Sequence, residues 1–227
     1  MKRKDLFKLI YPKLKELYPD AQCELNFTNE YTLMVAVILS AQCTDKRVNE
    51  VTKELFNEYP NFVSLSMANI VDVEKIIKPC GFYRVKAKNI VEACKMIVEK
   101  YDCKLPKDMK NLVKIPGIGR KTANVLLSNI FGIPALAVDT HVFRVSNRIG
   151  LVKTNDVFKC EIDLKKIIDK DKWSESHHLL VLFGRYNCKA RNPNCKNCLI
   201  KDYCGEFKKW NGRNLLMVKD HKSTLKG

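Results

Sequence analysis

The sequence predicts an all-α protein, and three features predict it. Apolar residues recur at helical spacing along most of the chain. Asn, Thr, Ser and Asp stand just ahead of many of these runs, where their side chains can accept hydrogen bonds from the free amides of a first turn. No alternating apolar and polar run lasts long enough to form a strand of consequence, and no internal repeat shows.

Leu6, Leu9, Ile10, Lys13, Leu14 and Leu17 mark an amphipathic first helix, with Pro12 as the point of a kink. Asn29 caps a helix from Glu30 to Ala41 that is apolar on most sides and so expected to be buried. Thr44 caps the next, Asp45 to Tyr59, with Val48, Val51 and Leu55 inward. Ser66 and Asp72 begin two short helices ending near Lys78-Pro79. Arg84 to Tyr101 is long, with Ile90, Ala93, Ile97 and Tyr101 on one side. Leu105 to Lys114 forms a short helix with Pro106 in its first turn. Past the hairpin described next, Asp139 caps a helix to Arg148, and Phe158–Ile168 and Ser174–Tyr186 follow. The tail over 206–227 is basic and mostly polar.

One stretch breaks the helical run in an informative way: Ile115-Pro116-Gly117-Ile118-Gly119-Arg120-Lys121-Thr122-Ala123-Asn124. Pro116 fixes its own φ and restricts Ile115, and the two glycines permit backbone that a helix cannot use. Beyond it, Ala123, Leu126, Leu127 and Ile130 share one helical face, and Gly132 and Pro134 end that helix. The unit is helix, glycine-rich hairpin, helix. Its free amides and the positive end of the second helix form a site for a phosphate. With no side chains at Gly117 and Gly119, a nucleic-acid backbone can come close. At about 100° per residue, Lys121 lies roughly 200° from Ala123, so it points away from the apolar stripe. Two readings of Lys121 stand. The helix end and Arg120 disfavour a further positive charge, and a neutral amine is a nucleophile. The other reading is a lysine that simply contacts phosphate.

The charge balance narrows the partners. There are 41 Lys+Arg against 25 Asp+Glu, a formal charge of +16, spread along the chain rather than in one block. A folded basic surface of this kind points first to nucleic acid and only weakly to an anionic membrane. The longest apolar run, Leu33 to Leu39, is too short to span a bilayer or to act as a signal-peptide core. The expected location is therefore cytoplasmic, with the nucleoid if the cell is prokaryotic, and no membrane partner is expected. In that compartment the ten cysteines should be thiols or metal ligands rather than disulfides.

Four of the ten form a second motif, Cys188-x6-Cys195-x2-Cys198-x5-Cys204. Structural zinc usually uses two short knuckles with a long insert between them, and here only Cys195 and Cys198 make such a pair. The single compact loop better suits a cubane [4Fe-4S] cluster, whose irons need ligands spread over a larger cage. Zinc is the other reading of the spacing. Cys23, Cys43, Cys80, Cys94, Cys103 and Cys160 show no clustering and read as small buried hydrophobes.

The hairpin with Lys121 and Asp139, together with the four-cysteine spacing, resembles the endonuclease III family of DNA base-excision glycosylases. Leu39-Ser40-Ala41-Gln42-Cys43-Thr44-Asp45 and Gly184-Arg185-Tyr186 belong to the same resemblance, which runs from about Leu6 to Cys204. It implies two all-helical domains flanking a DNA-binding cleft. A six-helix domain with the helix-hairpin-helix would occupy 22–132, with the hairpin unit at about 105–131. A second domain would combine 1–21 with 133–205 and hold the [4Fe-4S] loop. It implies Lys121 as nucleophile and Asp139 as its carboxylate partner, Asp139 also reading as a plain helix cap.

The implied partner is double-stranded DNA containing damaged bases or abasic sites, bound by a monomer. A base inside the duplex must be flipped out to be reached. Lys121 would then attack C1′ of the sugar, expel the base and form a Schiff base, and β-elimination would cut the strand. Gln42 resembles the residue that fills the gap left by the flipped nucleotide. Phe82 stands where the family commonly has a leucine wedge. Gly117, Gly119 and Arg120 would bear on phosphate, as would Lys189 and Arg191 inside the first cysteine loop. His141 would contact phosphate or lesion. Each also has a plain reading: a helix-end polar group for Gln42, a core ring for Phe82, a satisfied histidine for His141, a solvated loop for Lys189 and Arg191. Two rival functions follow: an adenine-mismatch glycosylase of the same fold, and a non-catalytic helix-hairpin-helix DNA-binding protein. The first of these needs a carboxylate in the stretch Thr32–Ser40, which has none, and lacks the lysine after the hairpin.

Overall fold

The computed structural model describes residues 1–209, so the expected basic tail lies outside the described residues from 210 onward. Among the described residues there is no strand, as the helical periodicity predicts. The chain divides into two compact units, one from Cys23 to Ala137 and one made of Met1–Gln22 with the chain from Val138 on.

The first unit is built round α2, Glu30–Leu39. Every residue from Tyr31 to Leu39 is buried, as expected for a helix apolar on all sides. The chain enters it through a capping box. The Asn29 side chain accepts from the Thr32 amide at 3.0 Å, and the Thr32 hydroxyl accepts from the Asn29 amide at 3.1 Å. Against α2 pack α3 (Asp45–Glu58), α6 (Tyr83–Tyr101) and α8 (Arg120–Asn129). Leu33, Leu39, Leu55, Ile90, Ile97 and Leu126 are wholly buried there. Each such side chain contributes about 1.5–3 kcal/mol through burial.

Two short helices begin earlier than the sequence suggests. They are α4, Phe62–Ser66, and α5, Ile70–Ile77, capped by Asn61 and Asn69 rather than by Ser66 and Asp72. Asn61 and Ser64 form a reciprocal capping box at 2.9 and 3.1 Å. Ser66 instead ends its helix, donating its hydroxyl to the Val63 carbonyl at 2.7 Å. The helix before the hairpin is a single turn, α7, Met109–Leu112, begun by Asp108, whose carboxylate accepts from the Asn111 amide at 2.9 Å. Residues 105–107 do not join it, and the Leu105 amide is held by Glu30 at 3.2 Å.

In the second unit, α1 (Arg3–Leu17) runs through Pro12 and packs on α10 (Val157–Ile167) and α11 (Trp173–Leu182), while α11 packs on α9 (Thr140–Ile149). The Tyr11 hydroxyl donates to Glu175, which also pairs with Lys15 at 2.9 Å, joining α1 to α11. After Leu182 the helix widens into a π-turn over Phe183–Asn187 that delivers Cys188. Among the described residues no helix is long and apolar enough to cross a membrane.

Cys80, Cys94 and Cys160 are buried as expected. Cys103 departs from that expectation, being exposed in the left-handed turn that ends α6, and Cys23 and Cys43 are half-buried.

Candidate active site

The hairpin between α7 and α8 gives its two glycines different work. Gly117 has φ +76°, and a Cβ there would stand 3.1 Å from Asn89 and 3.2 Å from Ile38. Both its conformation and its packing disfavour a side chain. Gly119 has an ordinary φ of −88°, and a Cβ there would meet nothing within 4 Å. The fold does not need a glycine at 119, so the bare backbone faces open space.

Gly119 is also the N-cap of α8 and, as a glycine, offers the first-turn amides no side-chain acceptor. Partial positive charge and backbone donors gather at this exposed helix start, which is the chemistry of an anion site. Arg120 and Lys121 occupy the first two positions of α8, both exposed. Among the described residues no side chain or carbonyl engages the Lys121 ammonium. On the opposite face Ala123, Leu126 and Leu127 are buried in the core of the unit, which fixes the rotation of α8 and hence the outward direction of Lys121.

Asp139 starts α9 in the other unit. Its carboxylate accepts from the Val142 amide at 2.8 Å, a capping bond that leaves its second oxygen outside that contact. His141, half-buried in the first turn, has its Nδ1 3.2 Å from an Arg144 nitrogen. A guanidinium can only donate, so Nδ1 accepts and Nε2 carries the proton. Gly184 lies against this ring, and a Cβ there would come within 2.8 Å of His141.

Two arginines that sequence reasoning did not single out tie α9 to the cysteine loop. Arg144 donates to the carbonyls of Gly184 at 2.8 Å and Cys188 at 3.1 Å. Arg148 donates to Lys189 and Ala190 carbonyls at 2.7 and 3.0 Å, and lies 3.7 Å from the Cys188 sulfur. Lys189 and Arg191 are exposed on the loop so held. The missed signal is the spacing Arg144–Arg148, one helical turn apart on a single face.

Cys188, Cys195, Cys198 and Cys204 line one cavity, with Ile149, Phe183, Ile200 and Phe207 among its other walls. Burial, then the neighbouring cysteines, pushes the thiols of Cys195, Cys198 and Cys204 up. Four thiolates in such a place need a cationic centre to stabilise them. Among the described residues no three His, Cys, Asp or Glu side chains converge as they would around one ion. The chemistry of an all-sulfur donor set lining one apolar cavity fits a thiolate-bound metal centre, a cage of several irons included.

Gln42 and Phe82 stand on touching loops of the first unit. Both are exposed, and both hold left-handed backbone, at φ 52° and 57°. A Cβ added at Gly81 would lie 3.6 Å from the Gln42 carbonyl oxygen. Neither residue is a glycine, so each conformation costs about 1–2 kcal/mol.

Comparison with known proteins gives a consistent answer. A family model described as "HhH-GPD superfamily base excision DNA repair protein" matches residues 35–170, more than half of the chain. The endonuclease III of Bacillus subtilis is 46% identical over 90% of this chain and 94% of its own. That of Escherichia coli is 40% identical over 88% and 94%. A solved structure of an endonuclease III–DNA covalent intermediate superposes with a TM-score of 0.88, at 45% identity, over 92% of this chain and 99% of that one. The chain belongs to the HhH-GPD superfamily of base excision DNA repair proteins and, within it, to the endonuclease III family.

Proposed function

We propose that this chain, a base excision repair DNA glycosylase by family, removes oxidised pyrimidines from duplex DNA and then cuts the strand at the abasic site. Lys121 is the nucleophile. Its neutral Nζ attacks C1′ of the flipped nucleotide, the base leaves with the bonding electrons and a proton, and the sugar ring opens to an imine. Asp139 takes up the lysine proton and stabilises cationic character at C1′. The iminium acidifies a C2′ proton, and its removal expels the 3′ phosphate by β-elimination. Water then releases the lysine.

The single observation that carries this reading is the likeness to an endonuclease III trapped covalently on DNA. A covalent intermediate calls for a nucleophile, and Lys121 stands exposed at the start of α8.

Around this chemistry, Gly117, Gly119 and Arg120 receive a phosphate at the α8 start, and Lys189 and Arg191 grip further along the strand. His141 offers its Nε2–H to phosphate or lesion. Gln42 fills the gap of the flipped nucleotide, and Phe82 wedges beside the opposite strand. Cys188, Cys195, Cys198 and Cys204 hold a [4Fe-4S] cluster that fixes the shape of the loop carrying Lys189 and Arg191. The protein acts as a monomer, in the cytoplasm.

Incubation with a duplex holding one thymine glycol tests the reaction. The expected products are free damaged base and a strand cut. Free base released with the strand intact, and no covalent adduct under borohydride, would point to water as nucleophile and overturn the lysine mechanism.

A further inference from the structure

Lys86 is a buried cation that the proposed chemistry does not use. It lies in the first turn of α6 and is only 4% exposed. Its ammonium donates to the Leu39 carbonyl at 2.8 Å. Leu39 ends α2, so that carbonyl is one of the four that a helix leaves without an internal partner. The ammonium therefore also meets the negative end of the α2 dipole. Among the described residues no carboxylate lies within ion-pair distance of Lys86. Burial holds its pKa below the usual lysine range, opposed by the nearby Cys80 and Cys43 thiols. A charge buried this way is costly and persists where it does something an apolar side chain would not.

The two ends it joins are the ones that carry Gln42 and Phe82. Phe82 is the N-cap of α6, four residues before Lys86, and the Lys86 amide donates to the Phe82 carbonyl at 3.1 Å. Gln42 lies three residues past Leu39 in the turn leaving α2. Cys43 and Cys80 also lie beside each other across the same two loops, and the Gly81 backbone runs close to the Gln42 carbonyl. Left-handed backbone at non-glycine residues persists only where the surroundings over-determine it. The Lys86–Leu39 hydrogen bond, with these two close approaches beside it, supplies those surroundings.

We infer that Lys86 is a positioning residue, which clamps the end of α2 to the start of α6 so that Gln42 and Phe82 are presented side by side to the duplex. The inference rests on the reading of those two residues as DNA contacts. It assigns Lys86 no contact with substrate.

A double-mutant cycle separates positioning from plain stability. The rate of borohydride trapping is measured on a duplex with one abasic site, at a temperature well below the melting point of every variant. Lys86→Met should slow trapping about 10–100-fold, the scale expected when groups far from the bond being broken are misplaced. In a Gln42→Ala/Phe82→Ala background, which keeps Lys121 and still traps slowly, the same substitution should change the rate less than about 3-fold, because nothing remains to misplace. Equal slowing in both backgrounds would mean a general structural role and overturn the inference, as would no slowing in either. If Lys86→Met does not accumulate folded, Lys86→Gln, whose amide reaches one atom less far, goes through the same cycle with the same expected outcomes. Failure of the unmodified protein to trap at all would overturn the functional reading, and this inference with it.

Discussion

α8 and α9 are both ten-residue helices, and their starts are opposites. α8 begins at Gly119, with no side chain to satisfy its first amides and with Arg120 and Lys121 next in line. α9 begins at Asp139, whose carboxylate is already bonded to the Val142 amide at 2.8 Å. The cap of one helix carries no acceptor side chain. The other supplies its own. An open end next to a cation suits binding and nucleophilic attack. A closed end suits a carboxylate held in one orientation, ready to accept a proton.

The contrast breaks most sharply at Asp139. Asp139→Asn keeps a side-chain oxygen for the Val142 amide, so melting should shift by at most about 1 kcal/mol of stability. If the carboxylate takes up the lysine proton, turnover should fall roughly 10²–10⁴-fold. Steady-state cleavage beside thermal unfolding reads both. A parallel loss in stability and none in rate would reduce Asp139 to a cap.

The proposed [4Fe-4S] cluster makes the cysteine loop the next place to test. Purified protein should be yellow-brown with about four irons per chain, as a four-cysteine cubane requires. Cys198→Ser should lower iron content and soluble yield together. Zinc in a colourless, folded protein would contradict the cluster.

A smaller effect probes the open end. Gly119→Asp places a carboxylate where the phosphate should rest, in a direction that meets nothing within 4 Å. The fold should be kept. DNA affinity in a filter or fluorescence titration should fall, and its salt dependence should flatten by about one phosphate contact. Unchanged affinity would mean that this helix start does not face DNA.

The smallest change is on the other side of the hairpin. Gly117→Ala, at φ +76° and 3.1 Å from Asn89, should destabilise by roughly 1–3 kcal/mol in denaturant unfolding. Gly119→Ala should leave stability almost unaltered.

Much of this was legible in the chain itself. Pro116-Gly117 announces a turn, Asp139 ahead of an apolar periodicity announces a cap, and four cysteines within seventeen residues announce the thiols that line one cavity. Those signals are local, and so they survive in one dimension. The starts of α4 and α5 were less legible, because several polar residues compete to cap a short helix and tertiary packing chooses among them. Lys86 reads as one of 41 cations. Only its spacing to Ile90, Ala93 and Ile97 hints that it lies on the buried side of α6. Arg144 and Arg148 make their bonds to a loop about forty residues away, and no local pattern encodes that.

The difference between the two helix starts is tested most directly by borohydride trapping on a duplex with one abasic site, comparing the unmodified chain with Lys121→Gln. Lys121 as nucleophile predicts one covalent protein–DNA species in a denaturing gel for the unmodified chain. It predicts none for Lys121→Gln, while DNA binding largely survives. A covalent species that persists in Lys121→Gln would place the nucleophile elsewhere and contradict the account.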